Sequence, residues 1–231
     1  MELGEVIVSS FKNHKDIEYR LLDQDSFQAS LDCIVEVFLK SEPITSLMKV
    51  GVGEFLPFAS GLLRHALGQG LSWVAVDRIT GEVAGIRVTT KLDEDFEPRV
   101  SFGPKMDVVV EFLSSVSEQG RPLLACSPKK SVHSHMVAVD SRYQGLGVAK
   151  TLLERASFWA WWKGYETSVG EVTSAFNQRI LSKIPSYKAI HRVSYQEFQK
   201  DGRRPFEALK DHSECVLFQF DLSDFSQGVQ S

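Results

Sequence analysis

Apolar residues recur along this chain at two different periods, and the changes between them mark out the elements. Over residues 17–22 apolar and polar positions alternate, which predicts a strand. Phe27, Leu31, Ile34, Val35 and Phe38 then fall three or four apart, the spacing of one helix face. Asp25 with Gln28 forms a capping box for that helix. It must stop near Ser41, because Pro43 disfavours a helical backbone at Glu42. A second helical stretch covers residues 53–67 and ends at Gly68 and Gly70. Residues 72–78 and 82–92 read as two strands, joined as a hairpin by Ile79-Thr80-Gly81.

Residues 93–132 form an insertion that opens acidic, at Asp93, Glu94 and Asp95, and holds a helix around 106–116. A strand follows at 133–139, then a glycine turn and a long helix from 147 to about 163. Residues 169–173 are strand-like, 174–184 helical up to Pro185, and 187–195 and 215–222 close as strands around a charged excursion at 197–211. The order defines a mixed α/β domain around one central sheet, spanning 17–222, with a flexible leader at 1–16 and a frayed tail at 223–231.

The 231 residues suffice for one well-cored domain. With 43% hydrophobic and 24% charged residues, general disorder is excluded. Net charge is -4 without a basic stripe, so nucleic acid is not an expected partner. No apolar run reaches the roughly 20 residues of a membrane span, and residues 1–10 do not read as a signal peptide. Cys33, Cys126 and Cys215 are odd in number and far apart, which argues against a disulfide framework or a zinc site and for a reducing, cytoplasmic setting.

The chemistry concentrates where the 133–139 strand runs into Gln144-Gly145-Leu146-Gly147-Val148-Ala149-Lys150. Glycines there permit backbone conformations closed to other residues, and the helix start offers unpaired amides and positive partial charge, together an anion site. The P-loop pattern is absent, and a dinucleotide fingerprint fails because Lys150 stands where its third glycine belongs. The spacing Gln144-x-x-Gly147-x-Ala149 resembles instead the acetyl-CoA pyrophosphate loop of the GNAT superfamily of N-acetyltransferases. That resemblance implies the GNAT fold, a single mixed, mostly antiparallel sheet of about seven strands flanked by helices. It also implies acetyl-CoA as cosubstrate and no metal. Val137, Ala138 and Val139 would pair with the pantetheine arm, the backbone from Gln144 to Lys150 would hold the pyrophosphate, and Ser174 and Asn177 would complete the cofactor contacts. Ser174 stands where the family often has Asn.

Acetyl transfer to a small primary amine needs the amine deprotonated, so a base is expected. Two candidates stay open. Glu42, in Ser41-Glu42-Pro43-Ile44, resembles the catalytic Glu of insect-type arylalkylamine and dopamine N-acetyltransferases. His133 and His135, two apart on one strand and so on one face, are similar to the paired histidines of the vertebrate arylalkylamine enzymes. No nearby Cys or Asp offers an obvious third ligand to make them a zinc site. The family's leaving-group Tyr maps to Leu181, with Tyr187 out of register; Thr173 and Ser174 retain hydroxyls, but the later position is Asn177. Leu47, Met48, Phe55 and Phe58 would give the amine an apolar wall, suiting an arylalkyl or other hydrophobic amine; the expected substrate is a small arylalkylamine or a polyamine. A non-catalytic acyl-CoA-binding module and a peptide or protein N-acetyltransferase are the alternatives.

Overall fold

The computed structural model describes residues 16–98 and 100–229, so the expected leader lies outside the described residues but for Asp16. The alternation at the start of the chain produces β1 (Ile17–Leu21), whose Ile17 and Tyr19 are buried. The helical stripe that follows becomes α1 (Phe27–Ser41), burying Phe27, Leu31 and Ile34. Its N-terminus differs from expectation. Ser26 is the cap residue and makes no side-chain bond into the helix; the Asp23 carboxylate instead accepts from the Ser26 amide at 2.8 Å, and Gln28 turns outward to Asp32. Pro43 ends α1 as expected, and it also starts a further short helix, α2 (Pro43–Leu47). Proline is suited to a first helical turn, where its missing N–H has no acceptor to lose. Then come α3 (Val52–Leu67), the hairpin β2 (Trp73–Asp77) and β3 (Val83–Lys91), and α4 (Pro104–Gly120) within the insertion. β4 (Ser131–Val139), α5 (Val148–Trp162), β5 (Thr167–Val172), α6 (Ala175–Leu181), β6 (Lys188–Ser194) and β7 (Glu214–Asp221) complete the domain.

The seven strands form one sheet in the order β1-β2-β3-β4-β5-β7-β6, antiparallel except for the β4–β5 pair. On one face α1, α3 and α4 pack Ile34, Phe55, Leu62 and Phe112 against Ile86, Val88 and Ala138. The insertion helix thus belongs to the main core, through Met106, Val109, Phe112 and Val116. On the other face α5 sets Leu152 and Ala156 against Trp73 and Ala75, and Leu153 and Leu181 meet Val172, Phe218 and Phe220. Trp159 seals that layer, with its indole N–H on the Gly70 carbonyl at 2.9 Å and its ring edge-on to Trp73. Trp161 and Trp162 are partly exposed. The tail, expected to fray from Ser223, begins as a 3-10 helix (Leu222–Val229) that sets Phe225 on Phe220. No helix among the described residues is long and apolar enough to cross a membrane.

One break in this sheet matters most. β3 pairs β4 along its length, but β4 pairs β5 only at Ser131–His133 against Thr167–Val169. Beyond that point β5 continues on β7 alone, and the β5-facing edge of β4 is left open. The register slips between Val88↔Met136 and Thr89↔Ser134, which makes His135 the extra residue of a bulge. Such an insertion bends its strand, and here it does so where the two strands part.

Candidate active site

The glycine turn lies at the end of β4, on the open side of that split. A 3-10 turn (Ser141–Tyr143) leads into it and is anchored by the Tyr143 hydroxyl donating to Asp77 at 2.8 Å and by Arg142 bridging Asp140 and Glu82. Gly145 and Gly147 both stand at φ +79, and a side chain at either would meet nothing within 4 Å. These glycines are therefore required by backbone handedness rather than by crowding. Gly147 caps α5, whose first helical bond runs from Thr151 N to Gly147 O at 3.0 Å. The amides of Val148, Ala149 and Lys150 precede that bond and have no acceptor within the helix. Gln144, Gly145, Leu146 and Gly147 are exposed, as are Ala149 and Lys150, while Val148 is buried as an anchor. Val137, Ala138 and Val139 lie on the stretch of β4 that β5 leaves unpaired. Strand edge and helix start thus adjoin, as the sequence predicts.

Across the split, Ser174 caps α6 with no side-chain bond of its own, and Asn177 lies half-buried one turn along. Leu181, at the position where the resemblance implies a Tyr, is buried against the sheet. Glu42 is the N-cap of α2. One carboxylate oxygen accepts from the Thr45 amide at 2.8 Å and lies 2.7 Å from the Thr45 hydroxyl; the other accepts from the Thr173 hydroxyl at 2.7 Å. Thr173 follows β5 directly, and its carbonyl accepts from the buried Tyr195 hydroxyl at 2.8 Å. Glu42 is thereby fixed across the gap between the helical layer and the end of β5. The extended backbone imposed by Pro43 (φ -75, ψ 128 at Glu42) is what turns its side chain back onto the helix start.

The histidine pair is more deeply engaged than its sequence suggests. The two rings lie 3.9 Å apart. Nδ1 of His133 is 2.8 and 2.9 Å from the Asp95 oxygens, and its Nε2 is 2.8 Å from Glu171 Oε2. Nε2 of His135 is 3.0 Å from Asp95 Oδ1 and 2.8 Å from the Thr90 hydroxyl. Arg121 closes on Asp95, and Ser117 of α4 donates to Glu171. Asp95 is only 7% exposed, so it is not part of a solvated acidic loop as the run Asp93-Glu94-Asp95 suggests. Burial opposes charge on His133, but the carboxylates of Glu171 and Asp95 outweigh it and raise its pKa to about 10. Burial, and then the charge of His133, push His135 down to about 4. Burial would raise Glu171, yet the His133 charge and the bonds from His133 and Ser117 hold it at about 2. Asp95 is held well below the carboxylate range, its desolvation outweighed by bonds to both histidines.

Asp95 also supplies the third donor that the sequence did not offer: its oxygens and a nitrogen from each histidine lie within 4.8 Å of one another. The bonding around them fits protons better than a cation. Both His133 nitrogens face carboxylates as donors, and Arg121 already holds Asp95. Glu171 was missed at the sequence level, although a lone carboxylate in the otherwise uncharged strand Thr167–Val172 is a legible signal. Asp95 carried no such signal. The expected apolar wall is divided: Phe55 is fully buried in the core, whereas Leu47, Met48 and Phe58 are half-buried. Phe38, Phe55, Phe58 and Phe96 form a continuous aromatic ladder with centroid spacings of 5.8, 6.2 and 5.9 Å.

The split sheet thus sets an open strand edge beside a glycine-capped helix start, close to a buried polar centre. A model of the acetyltransferase (GNAT) family matches residues 62–181, just over half of the sequence. The chain belongs to this family, and its fold resembles those of arylalkylamine N-acetyltransferases. Among solved structures it is similar to the C-terminal condensation domain of Ebony, in complex with beta-alanyl-dopamine. The TM-score is 0.78 at 21% identity, over 89% of this chain and 98% of that one. It is similar to arylalkylamine N-acetyltransferase 2 from Aedes aegypti, with TM-score 0.74 and 17% identity over 90% and 100% of the two chains. It is also similar to the Drosophila melanogaster polyamine N-acetyltransferase that forms N-acetylagmatine, with TM-score 0.70 and 18% identity over 89% and 100%. At these identities the likeness is one of fold.

Proposed function

We propose that this protein is an acetyl-CoA-dependent N-acetyltransferase acting on a small primary amine, an arylalkylamine or a polyamine. The observation that carries this reading is the adjacency of the open β4 edge at Val137–Val139 and the glycine-capped start of α5. The pyrophosphate takes the backbone amides of the Gln144–Lys150 turn and first helical turn, and the pantetheine amides pair with β4 like an added strand. Ser174 and Asn177 lie on the opposite bank, where the tether passes. The amine enters from the α1–α3 side, along the half-buried Phe38, Phe58 and Phe96. Neighbours of the same fold that bear the names arylalkylamine and polyamine N-acetyltransferase support that substrate class.

In the reaction the amine nitrogen attacks the thioester carbonyl, the amide C–N bond forms, the C–S bond breaks and the CoA thiolate leaves. The proton shed by the amine goes to Glu42 or to His135. His133 already donates from both nitrogens and does not accept; its part is electrostatic. Glu42, oriented from two sides by Thr45 and Thr173, is the principal base. Leu181 has no proton to give, so the thiolate is protonated by water, which its pKa of about 8.5 permits. That missing donor is also the one observation favouring the second reading, an acyl-CoA-binding module without turnover.

The test is CoA release, followed by a thiol reagent, from acetyl-CoA with a panel of phenylethylamines, agmatine and diamines, beside calorimetry with acetyl-CoA. Turnover is expected, with Glu42→Gln lowering kcat by about 10²–10⁴. Cofactor binding without turnover on any amine or peptide establishes the second reading. Absence of binding to both acetyl-CoA and CoA sinks both.

A further inference from the structure

His133 is enclosed by two carboxylates, one on each ring nitrogen: Asp95 from the insertion and Glu171 from β5, all at 2.8–2.9 Å. An ionised carboxylate only accepts hydrogen bonds. With both carboxylates held in the ionised form, both nitrogens of His133 carry hydrogen and the ring is an imidazolium. The second ring lies 3.9 Å away, too close for a second positive charge. His135 is consequently neutral. Its Nε2 bonds the Thr90 hydroxyl at 2.8 Å, and that hydroxyl gives its own proton to Asp95 Oδ1 at 3.4 Å, so Nε2 is the nitrogen that carries the one N–H. That leaves Nδ1 as the bare nitrogen. His135 is also the more exposed of the two, 12% against 6%, and it is the bulged residue at which β4 leaves β5.

We propose that Glu171 and Asp95 are positioning residues that seat the single proton of this imidazole pair on His133, so that His135 stands at the split as a neutral imidazole with its Nδ1 free to accept. The inference rests on the acetyltransferase reading for its catalytic meaning, but not for its charge arrangement. The asymmetry comes from Glu171. Asp95 touches both rings, whereas Glu171 touches only His133, from the strand on the far side of the split. The charged and titratable groups around the pair agree with one seated proton. Arg121, after α4, balances Asp95, and Cys215 on β7, beside Glu171, is held as a neutral thiol by burial. Thr90 on β3 and Ser117 on α4 add hydroxyls but no charge. Arg121, Asp95, His133 and Glu171 then sum to zero, the condition under which a buried cluster is tolerated. The proton affinities point the same way: the flanking carboxylates outweigh burial and raise His133, while burial and the His133 charge lower His135.

The experiment is 15N NMR of the full chain labelled in histidine, titrated from pH 5 to 9.5, with His133→Gln and His135→Gln giving the assignments. Wild type is expected to show both His133 nitrogens protonated at pH 7, and His135 with one protonated and one bare nitrogen. Glu171→Gln is expected to lower the proton affinity of His133 roughly tenfold to a thousandfold, the effect of losing one close carboxylate, and to let the proton spread to His135. CoA release by that variant, assayed with the best amine of the panel, then gains a loss of rate on the acid side of neutrality that wild type lacks. A His133 ring with a bare nitrogen at pH 7 in wild type overturns the proposal without need of any variant. So does uptake of one equivalent of Zn²⁺ that depends on both histidines, since the proton would then be the wrong occupant. An unchanged His133 titration in folded Glu171→Gln overturns it as well. If no amine is turned over, the acetyltransferase reading fails while the NMR result still decides the charge arrangement.

Discussion

Replacing Gly147 with alanine isolates what the glycine turn contributes and tests the proposal that it holds the pyrophosphate. The residue stands at φ +79, where an L-residue pays about 1–2 kcal/mol for its Cβ. An added methyl meets no atom within 4 Å, so no packing clash enlarges that figure. Gly147→Ala should thus lose about 1 kcal/mol of stability, a fall in Tm of about 2–4 °C for a domain of this size. Binding should suffer separately. If the alanine keeps the left-handed conformation, its methyl stands in the open space that a phosphate must enter; if it relaxes, the first-turn amides rotate away. In either case acetyl-CoA affinity is expected to drop about tenfold, or about 1.4 kcal/mol. Gly202→Ala is the control, because Gly202 has nearly the same conformation (φ +72), equally empty surroundings and a place in the excursion between β6 and β7. Scanning calorimetry should find the two variants alike in stability, and titration calorimetry should find only Gly147→Ala impaired. Wild-type affinity in Gly147→Ala, or equal losses in both, refutes the assignment of this turn to the pyrophosphate.

Other expectations concern the split and the buried ion chain. Gly170 has no left-handed strain, but a Cβ there would lie 2.5 Å from the Ser134 carbonyl and 3.1 Å from the Phe218 ring. Gly170→Ala should therefore cost about 1–3 kcal/mol, seen in urea unfolding, by forcing β4 and β5 apart at their junction; a cost below 0.5 kcal/mol, on the same order of magnitude scale, contradicts that contact. Stability should also depend on pH through His133. Its folded pKa is raised, so its contribution is complete below the unfolded value near 6.5 and is lost as pH rises through about 10. His135, depressed to about 4, acts oppositely: the unfolded chain takes up its proton first, so stability falls as pH drops from about 6.5 to 4. Unfolding at several pH values should show a maximum near 6.5, and the alkaline decline should vanish in His133→Gln; a decline that persists there assigns it to another group.

Much of the fold was legible because local rules decide it. The period of two in β1, the stripe Phe27-Leu31-Ile34, and the proline after Glu42 each act within a few residues, and each element formed where those rules place it. The glycine turn was legible for the same reason, since backbone handedness and bare amides belong to a short segment. The sequence predicts a capping box from Asp25 and Gln28, yet Asp23 wins the contact with Ser26, because competing polar side chains at one helix start differ by little energy.

What the chain determined unaided, then, was most of its list of strands and helices and the position of the glycine turn; the short helix Pro43–Leu47 and the 3-10 turn of the tail were not among them. The elements so determined follow from periodicity and from residues whose backbone preferences are intrinsic. Tertiary structure alone decided that β4 and β5 part after His133, that Thr173 reaches Glu42 across 131 positions, and that Asp95 and Glu171 clasp one imidazole from opposite sides. Each of these joins groups distant in sequence, and whether a carboxylate there is solvated or serves as a buried counter-ion depends on what folds around it, which no local pattern encodes.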